Sequence, residues 1–369
     1  MSKFLSNRFK NMQPYRPGIQ PHDRDYVKLN ANETTLSPSP KVRAALTDAL
    51  VDGLGRYADP YCLDFRRAVA QAMGVATEEV FVGNGSDEVL AIAFHTFFGD
   101  EVPVAFPDIT YNFYRDWCTT FDVPFCEIPL LEDFSVDVDA LAAFDGHVVL
   151  VNPNAPTGMV VPREAIERIM AARSDRLVIV DEAYIDYGGE SCVPLIGRHR
   201  NLIVVQTMSK SRHLAGAHIG FAIAASELID DMRDVKFSVN PFNVSALTSA
   251  IGIAAIEDAE HLEAFVAENA REREELAREL CRRGFHVLPS STNFVLAKIP
   301  KGDAAALTGA LKEHGVLVRH YDQNRIRDWL RITVGTATEN AALLQALDAC
   351  LAQGACCPPH PAGGDCAET

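Results

Sequence analysis

"VVQTMSKSRHLAGAHIGFAIAA" (residues 204–225) is the stretch on which the fold turns. Its first residues continue a β-branched, apolar run from Leu202, and a second apolar run, Ile219–Ala225, begins seven residues after Arg212. Both runs read as buried strands. Between them stands Lys210, at the mouth of a strand, where taking an ammonium out of water is costly. Either Lys210 is the first solvated residue of a surface loop, or burial lowers its pKa and makes its amine a nucleophile.

On the N-terminal side the same kind of run recurs at Val80–Val82, Val102–Phe106, His147–Val151 and Leu177–Val180. Apolar spacings near 3.6 predict helices between them at Asp87–Phe98, Asn112–Thr119, Asp137–Phe144 and Arg163–Arg173. Alternation of this kind predicts an α/β fold with a large, mostly parallel sheet sandwiched by helices. After Asn240-Pro241 the pattern changes to one long Ala- and Glu-rich helical stretch, Val244–Arg283. Short strand-like runs at Phe285–Leu288, Asn293–Lys298, Val316–Arg319 and Leu330–Val334, with helices at Ala304–His314 and up to Leu351, predict a smaller α+β domain.

With 369 residues, 48% of them hydrophobic, the chain is long enough for one large core and a smaller unit. Its formal charge of −16 and lack of basic stripes argue against nucleic acid as a partner, so an anionic substrate needs local basic pockets. No apolar stretch has the length of a membrane span, and MSKFLSNRFKNMQPY (1–15) lacks the apolar region of a signal peptide, which predicts a cytoplasmic protein. Cys62, Cys118, Cys126, Cys192, Cys281 and Cys350 lie in apolar segments and read as buried free thiols. Cys356, Cys357, His360 and Cys366 crowd a Pro- and Gly-rich terminus that reads as a disordered tail rather than a metal site.

Ligands of an open α/β sheet collect at the carboxyl ends of its strands, and four of these ends carry chemistry. "GNGSDE" (83–88) opens a helix whose first N–H groups suit a phosphate, although a glycine turn with an acidic cap explains it equally well. "NPNAPTG" (152–158) offers Asn side chains from a loop stiffened by two prolines, and its plainer reading is a rigid turn. "DEAYIDY" (181–187) puts Asp181 at the tip of an apolar strand, where a carboxylate wants a cationic partner. The fourth end carries Lys210. An amine, a buried carboxylate, Asn and Tyr donors and a phosphate cradle together fit pyridoxal 5'-phosphate, with Lys in a Schiff base and Asp against the pyridinium nitrogen.

In this order the motifs resemble the histidinol-phosphate aminotransferase family of the fold-type-I, class-II pyridoxal-phosphate-dependent aminotransferases. The resemblance runs through "PYRPG" (14–18), "KLNANET" (28–34), "RYADP" (56–60), "GNGSDE", "TYNFY" (110–114), "NPNAPTG", "DEAYIDY", "TMSKSRHLAG" (207–216) and "LRITVGT" (330–336). It implies an N-terminal arm and part of the small domain in 1–40, a large cofactor domain in 41–240, a small C-terminal domain in 241–355 and a tail in 356–369.

The resemblance also implies roles. Lys210 anchors the cofactor and moves a proton as general base, Asp181 keeps the pyridine nitrogen protonated, and Tyr184 hydrogen-bonds the phenolic oxygen. Tyr111 stacks on the ring, while Ser86, Asp87, Thr207 and Ser209 hold the phosphate, and Tyr57 reaches the phosphate of a second subunit, so a homodimer is expected. For each aromatic the plainer reading is core packing. Arg331 matches the family's carboxylate-binding arginine, and Arg319 and Tyr15 match positions near a substrate phosphate. Asn30 belongs to a segment on the substrate side, whereas Arg325 and Arg327 read as a solvated loop.

The implied reaction is amino transfer between L-histidinol phosphate and 2-oxoglutarate, yielding imidazole acetol phosphate and L-glutamate in histidine biosynthesis. Aromatic amino-acid transamination and threonine-phosphate decarboxylation remain alternatives, as does, less favoured, a binding protein without catalysis. Two departures from the family pattern bear on the cofactor. His218 stands where the family carries a phosphate-clamping arginine, so affinity is expected to depend on pH, unless Arg212 compensates. Ala155 replaces the usual Asn before Pro-Thr-Gly, which leaves Asn154 or Tyr184 to bond the phenolic oxygen. "NETTLSPSP" (32–40) also departs from the family, and there the change touches the substrate entrance.

Overall fold

The computed structural model describes residues 2–6, 9, 19–99 and 101–352. They form two compact units, one comprising Glu33–Glu268 with Ser290–Thr292, the other residues 19–32, 269–289 and 293–352.

A seven-stranded sheet organises the first unit: β1 (Val80–Gly83), β2 (Val104–Pro107), β3 (Phe125–Ile128), β4 (His147–Val151), β5 (Val178–Asp181), β6 (Leu202–Thr207) and β7 (Gly220–Ala224). Their spatial order is β1-β7-β6-β5-β4-β2-β3. Only β7 runs antiparallel to its neighbours, so the carboxyl ends of β1, β4, β5 and β6 share one edge of the sheet. Strands covered on both faces have no polar side to show, and β2, β5 and β6 are buried at every position. The edge strand β3 was not legible in the sequence. Its residues, FCEI, are exposed or half-exposed and carry neither a continuous apolar run nor alternation.

The expected helices form at Gly85–Phe97, Phe113–Thr120, Val138–Ala143 and Arg163–Ala172, and the third is started by Asp137, whose carboxylate accepts from Ala140 N at 2.9 Å. The single helical stretch expected over Val244–Arg283 is instead two helices, Ala246–Ile256 and Ala259–Arg282. They part at Asp258, whose carboxylate is held by Ser39 and, at 3.1 Å, by Lys41. Helix Ala246–Ile256 is largely apolar and packs on helices Pro40–Ala45 and Leu63–Met73, so the first unit continues past the expected boundary at residue 240. Gly252 makes that approach possible: a Cβ there would lie 2.8 Å from the Phe65 ring.

Phe65 meets Phe221 edge to face in a core that also takes Val82, Leu150, Val180, Val204 and Ile166. Each such side chain contributes roughly 1.5–3 kcal/mol through burial. Of the cysteines expected inside, Cys62, Cys118, Cys192 and Cys350 are buried, but Cys126 and Cys281 are exposed, one on the sheet edge and one on the outer face of a helix. The Cys356, Cys357, His360 and Cys366 cluster lies outside the described residues.

The second unit is α+β. Its antiparallel sheet joins His286–Val287, Phe294–Lys298, Trp329–Thr333 and Arg319–His320, a short parallel pair joins Val27–Lys28 to Val316–Leu317, and helices Ala304–Glu313 and Ala337–Ala352 supply Leu307, Leu311, Leu343 and Leu347 to the core.

The loop after β4 is fastened by Asn152, fully buried, which donates to Val161 O at 3.0 Å and accepts from Val161 N at 2.8 Å. Asn152→Ala strands both backbone groups in the interior and should cost roughly 2–4 kcal/mol. Urea denaturation midpoints check this; an unchanged midpoint means the loop is fastened elsewhere.

Candidate active site

The shared strand edge opens into a cavity of about 230 Å3. Register explains why chemistry concentrates there. Gly83 pairs with Gly220 and Gly220 with Thr207, while Asp181 pairs with both Val205 and Val151, so the ends of five strands lie in one row. The residues immediately beyond them form the lining.

Asp181 ends β5 with only 4% exposure. One carboxylate oxygen accepts from the Ala183 N–H at 3.1 Å and the other from the Tyr114 hydroxyl at 3.0 Å. Burial outweighs these bonds and the nearby Lys210 charge, and pushes the carboxyl up to about 7. Its neighbour Glu182 is buried as well but points away from the cavity, accepting from Cys192 N, the Ser191 hydroxyl and the Gln206 amide at 2.6–2.8 Å.

Lys210, half-buried, lines the cavity on the turn after β6. The turn is set by Met208 N donating to Ile219 O at 3.0 Å and Leu214 N to Met208 O at 3.1 Å, which places Lys210 beside the sheet instead of in a mobile surface loop. Thr207 and Ser209 present hydroxyls linked at 3.0 Å. Tyr184 and Tyr111 also line the cavity, and the Tyr111 hydroxyl donates to Asp87 at 2.9 Å.

Helix Gly85–Phe97 begins at the cavity, with Gly85, Ser86 and Asp87 on its wall. Two glycines keep this end open. Gly220 lacks a Cβ that would lie 2.5 Å from Ser86 N, and Gly85, at φ +76°, lacks one that would lie 2.7 Å from the His218 ring. His218 is exposed on the same wall, and its Nδ1 lies 3.0 Å from the Asn84 carbonyl oxygen. A carbonyl only accepts, so Nδ1 carries the proton. The neutral ring then offers Nε2 as an acceptor, and only the imidazolium offers an anion a donor there.

These groups fit pyridoxal phosphate. A buried carboxylate raised by desolvation calls for a cationic ring nitrogen, a helix N-terminus with adjacent hydroxyls suits a phosphate, and an amine lies in the same cavity.

Ten sequence-singled residues line the cavity together: Ser86, Asp87, Tyr111, Asp181, Tyr184, Thr207, Ser209, Lys210 and His218 by side chain or helix end, and Ala155 at the departure position. Asn154 is a correction. It is 1% exposed, donates to Ile109 O and Thr157 and accepts from Thr110, so its amide braces the loop and is not part of the lining. Arg212 turns away as well, donating to Ala255 O at 2.8 Å, and does not stand in for the missing arginine. Tyr57 is 83% exposed and stacks on Phe242 at 4.4 Å, apart from this cavity. Tyr15 lies outside the described residues.

In the second unit Arg319 and Arg331 are directly paired across neighbouring strands, both with guanidinium groups over the Tyr321 ring, at 5.5 and 5.7 Å. Arg331 also donates to Asn30 O at 2.9 Å, and the Asn30 side chain is engaged with Ile19 O, so Asn30 braces the arginine. Sequence reading missed Tyr114 and Tyr321. A signal existed for Tyr114, three residues after Tyr111 and in the first turn of a helix, and the two rings meet edge to face at 5.8 Å.

Comparison with known proteins identifies the family. Residues 24–347 match the family described as aminotransferase class I and II. The chain is 46% identical over 347 residues to histidinol-phosphate aminotransferase 2 of Gluconobacter oxydans, covering 94% of this chain and 98% of that protein. It is 44% identical to the histidinol-phosphate aminotransferase of Pseudomonas putida, covering 94% and 100%. A crystal structure of a histidinol-phosphate aminotransferase from Sinorhizobium meliloti in complex with pyridoxal-5'-phosphate shares the fold, with a TM-score of 0.85 at 24% identity over 96% of this chain and 99% of that one.

The raised Asp181 has a consequence for the ligand-free protein. An unfolded aspartate loses its proton near pH 4, whereas the folded one keeps it to about 7, so between these values each rise in pH favours unfolding. Wild type should therefore lose stability relative to Asp181→Asn as pH climbs from 4 to 7, with no further divergence above. Paired thermal melts across this range test it, and a constant difference would mean that the carboxyl titrates normally.

Proposed function

The chain belongs to the class I and II aminotransferases, which use pyridoxal phosphate to move an amino group between an amino compound and a 2-oxo acid, and we propose that its amino compound is L-histidinol phosphate. With 2-oxoglutarate as acceptor, the products are imidazole acetol phosphate and L-glutamate, a step of histidine biosynthesis. The observation that carries the reading is Lys210 and Asp181 on one cavity beside a phosphate-suited helix end, in a chain similar over nearly its whole length to histidinol-phosphate aminotransferases.

When bound, pyridoxal phosphate supplies an aldehyde that condenses with amines and a ring that accepts an electron pair from the neighbouring carbon. The chain supplies the rest. Lys210 Nζ would hold the cofactor, and the same amine would take and return the proton at the substrate carbon bearing nitrogen. Asp181 faces the ring nitrogen and holds a proton there. Tyr184 would donate to the phenolic oxygen, a task Asn154 does not share, and Tyr111, its hydroxyl tied to Asp87, would stack on the ring. The N–H groups of Ser86 and Asp87 and the Thr207 and Ser209 hydroxyls bind the phosphate, with the His218 imidazolium as their charged neighbour.

Arg331 binds the carboxylate of the 2-oxo acid and of glutamate, a planar guanidinium matching two oxygens. Arg319, its strand neighbour, takes the substrate phosphate with Tyr15, and Asn30 keeps Arg331 in place. An exposed Tyr57–Phe242 stack, with Val51 and Leu54 also exposed a few residues earlier in the chain, supports a homodimer in which Tyr57 meets the phosphate bound by the other subunit. Four buried free thiols support a reducing, cytoplasmic location. Among the described residues no helix is long and apolar enough to cross a membrane.

Two experiments test this. Borohydride treatment of the purified, cofactor-loaded protein should fix the cofactor to Lys210, and Lys210→Ala should bind cofactor reversibly with amino transfer reduced by at least about a thousandfold. Single-turnover spectra with histidinol phosphate, phenylalanine and threonine phosphate then identify the donor. Conversion by phenylalanine alone, or release of carbon dioxide from threonine phosphate, replaces the proposed substrate.

The second concerns His218. Because only its protonated form donates to an anion while a guanidinium keeps its charge, His218→Arg should bind the cofactor more tightly than wild type at alkaline pH. Equal affinities for both proteins at every pH would remove His218 from the phosphate site.

A further inference from the structure

Tyr114 is fully buried, and no part of the reading above uses its hydroxyl except as a bond to Asp181. Its ring is boxed by Phe94, stacked at 6.0 Å, Phe106 at 5.8 Å, Trp117 at 5.9 Å and the edge of Tyr111 at 5.8 Å. So enclosed, the phenol has little rotational freedom, and its O–H points at one acceptor, Asp181 Oδ2, 3.0 Å away. The other oxygen is taken by the Ala183 N–H at 3.1 Å. Both carboxylate oxygens are thus fixed by donors from the protein, and each keeps a lone pair for a partner in the cavity.

We propose that Tyr114 is a positioning residue for Asp181: its hydroxyl pins Oδ2 and makes the carboxylate the weaker base, so that a proton shared with the ring nitrogen of a bound cofactor stays on that nitrogen. The inference rests on the aminotransferase reading for the identity of the partner, but not for the bond itself. Two bases compete for one proton, the carboxylate and the heterocyclic nitrogen. A phenol donating to the carboxylate stabilises its ionised form and not its protonated one, which moves the proton toward the nitrogen. Desolvation works the other way, lifting the carboxyl to about 7, and the Tyr114 bond is the largest influence opposing it. The other titratable groups around this carboxylate are Asp87, which raises its proton affinity, and Lys210, which lowers it, with Tyr111, Tyr184 and His218 on the remaining walls of the cavity.

The arrangement also explains a pairing in the sequence. Tyr111 and Tyr114 flank the start of one helix, and each hydroxyl serves one of the two cavity acids, Asp87 and Asp181. The same short segment therefore orients the acid at the phosphate end and the acid at the ring-nitrogen end.

Tyr114→Phe keeps the ring and removes one oxygen, so packing in the aromatic box is preserved. In cofactor-free protein, carboxyl-carbon NMR of labelled aspartate, with Asp181→Asn to assign the signal, should show the Asp181 titration shifted upward by about one pH unit in Tyr114→Phe. In loaded protein the same variant should show a cofactor absorption band that shifts toward the unprotonated-ring form, along with weaker cofactor binding at high pH, while Phe94→Leu, which loosens the box but keeps the hydroxyl, should leave the titration near wild type. An Asp181 titration identical in wild type and Tyr114→Phe overturns the proposal. A protein that binds no pyridoxal phosphate would defeat the aminotransferase reading instead, and the cofactor-free titration would still decide the role of Tyr114.

Discussion

The Asp181 carboxylate sits at the end of a strand that is buried along its whole length, and a charge in that position is tolerable only with partners. Two are provided by the protein, the Tyr114 hydroxyl and the Ala183 N–H, and together they do not offset desolvation, which leaves the carboxyl near 7. The site is thus incomplete by itself. A cationic nitrogen at the cavity floor would meet the outstanding requirement, and the remaining walls are arranged around a molecule carrying one: an amine on the β6 turn, a phenol after β5, and an anion-suited helix end after β1.

What brings these groups together is strand register more than any single contact. Inserting one antiparallel strand, β7, between β1 and β6 sets Gly83, Gly220 and Thr207 side by side, so that the turn after β6 and the helix after β1 face each other across one glycine. A side chain at Gly220 would close the gap against Ser86 N, and one at Gly85 would displace the His218 ring. This end of the cavity is therefore a backbone feature, and on the proposed reading, in which it takes a phosphate, the positive charge would come from the side chain at 218. With imidazole in that place, held by the Asn84 carbonyl through Nδ1, the charge is present only when a second proton is bound.

Much of this was legible before the structure. Each strand end that carried an unusual residue did so because strands buried on both faces leave their chemistry to the loops beyond, and the apolar runs of β4, β5 and β6 marked those ends to within a residue or two. Edge strand β3 escaped because it is neither buried nor alternating, and the long helical stretch concealed its break because Glu257 and Asp258 look like ordinary helix surface until Ser39 and Lys41 are brought to Asp258. Asn154 illustrates the opposite error: an amide in a suggestive motif was assigned to a ligand, and three neighbours within the protein had already taken it.

The amino-acid order by itself determined the sheet-and-helix alternation, the four loaded strand ends and the family, since these depend on local periodicity and on residue types at fixed spacing. Which donors reach which acceptors was decided only by the tertiary structure, because hydrogen bonds such as Tyr114 to Asp181, 67 positions apart, or His218 to Asn84, 134 apart, follow from register and packing that no local window contains. Orientation has the same origin. Arg212 and His218 stand six positions apart on one loop, and only the path of that loop, through the left-handed backbone at His213 and His218, sends the guanidinium to Ala255 and the imidazole to the cavity.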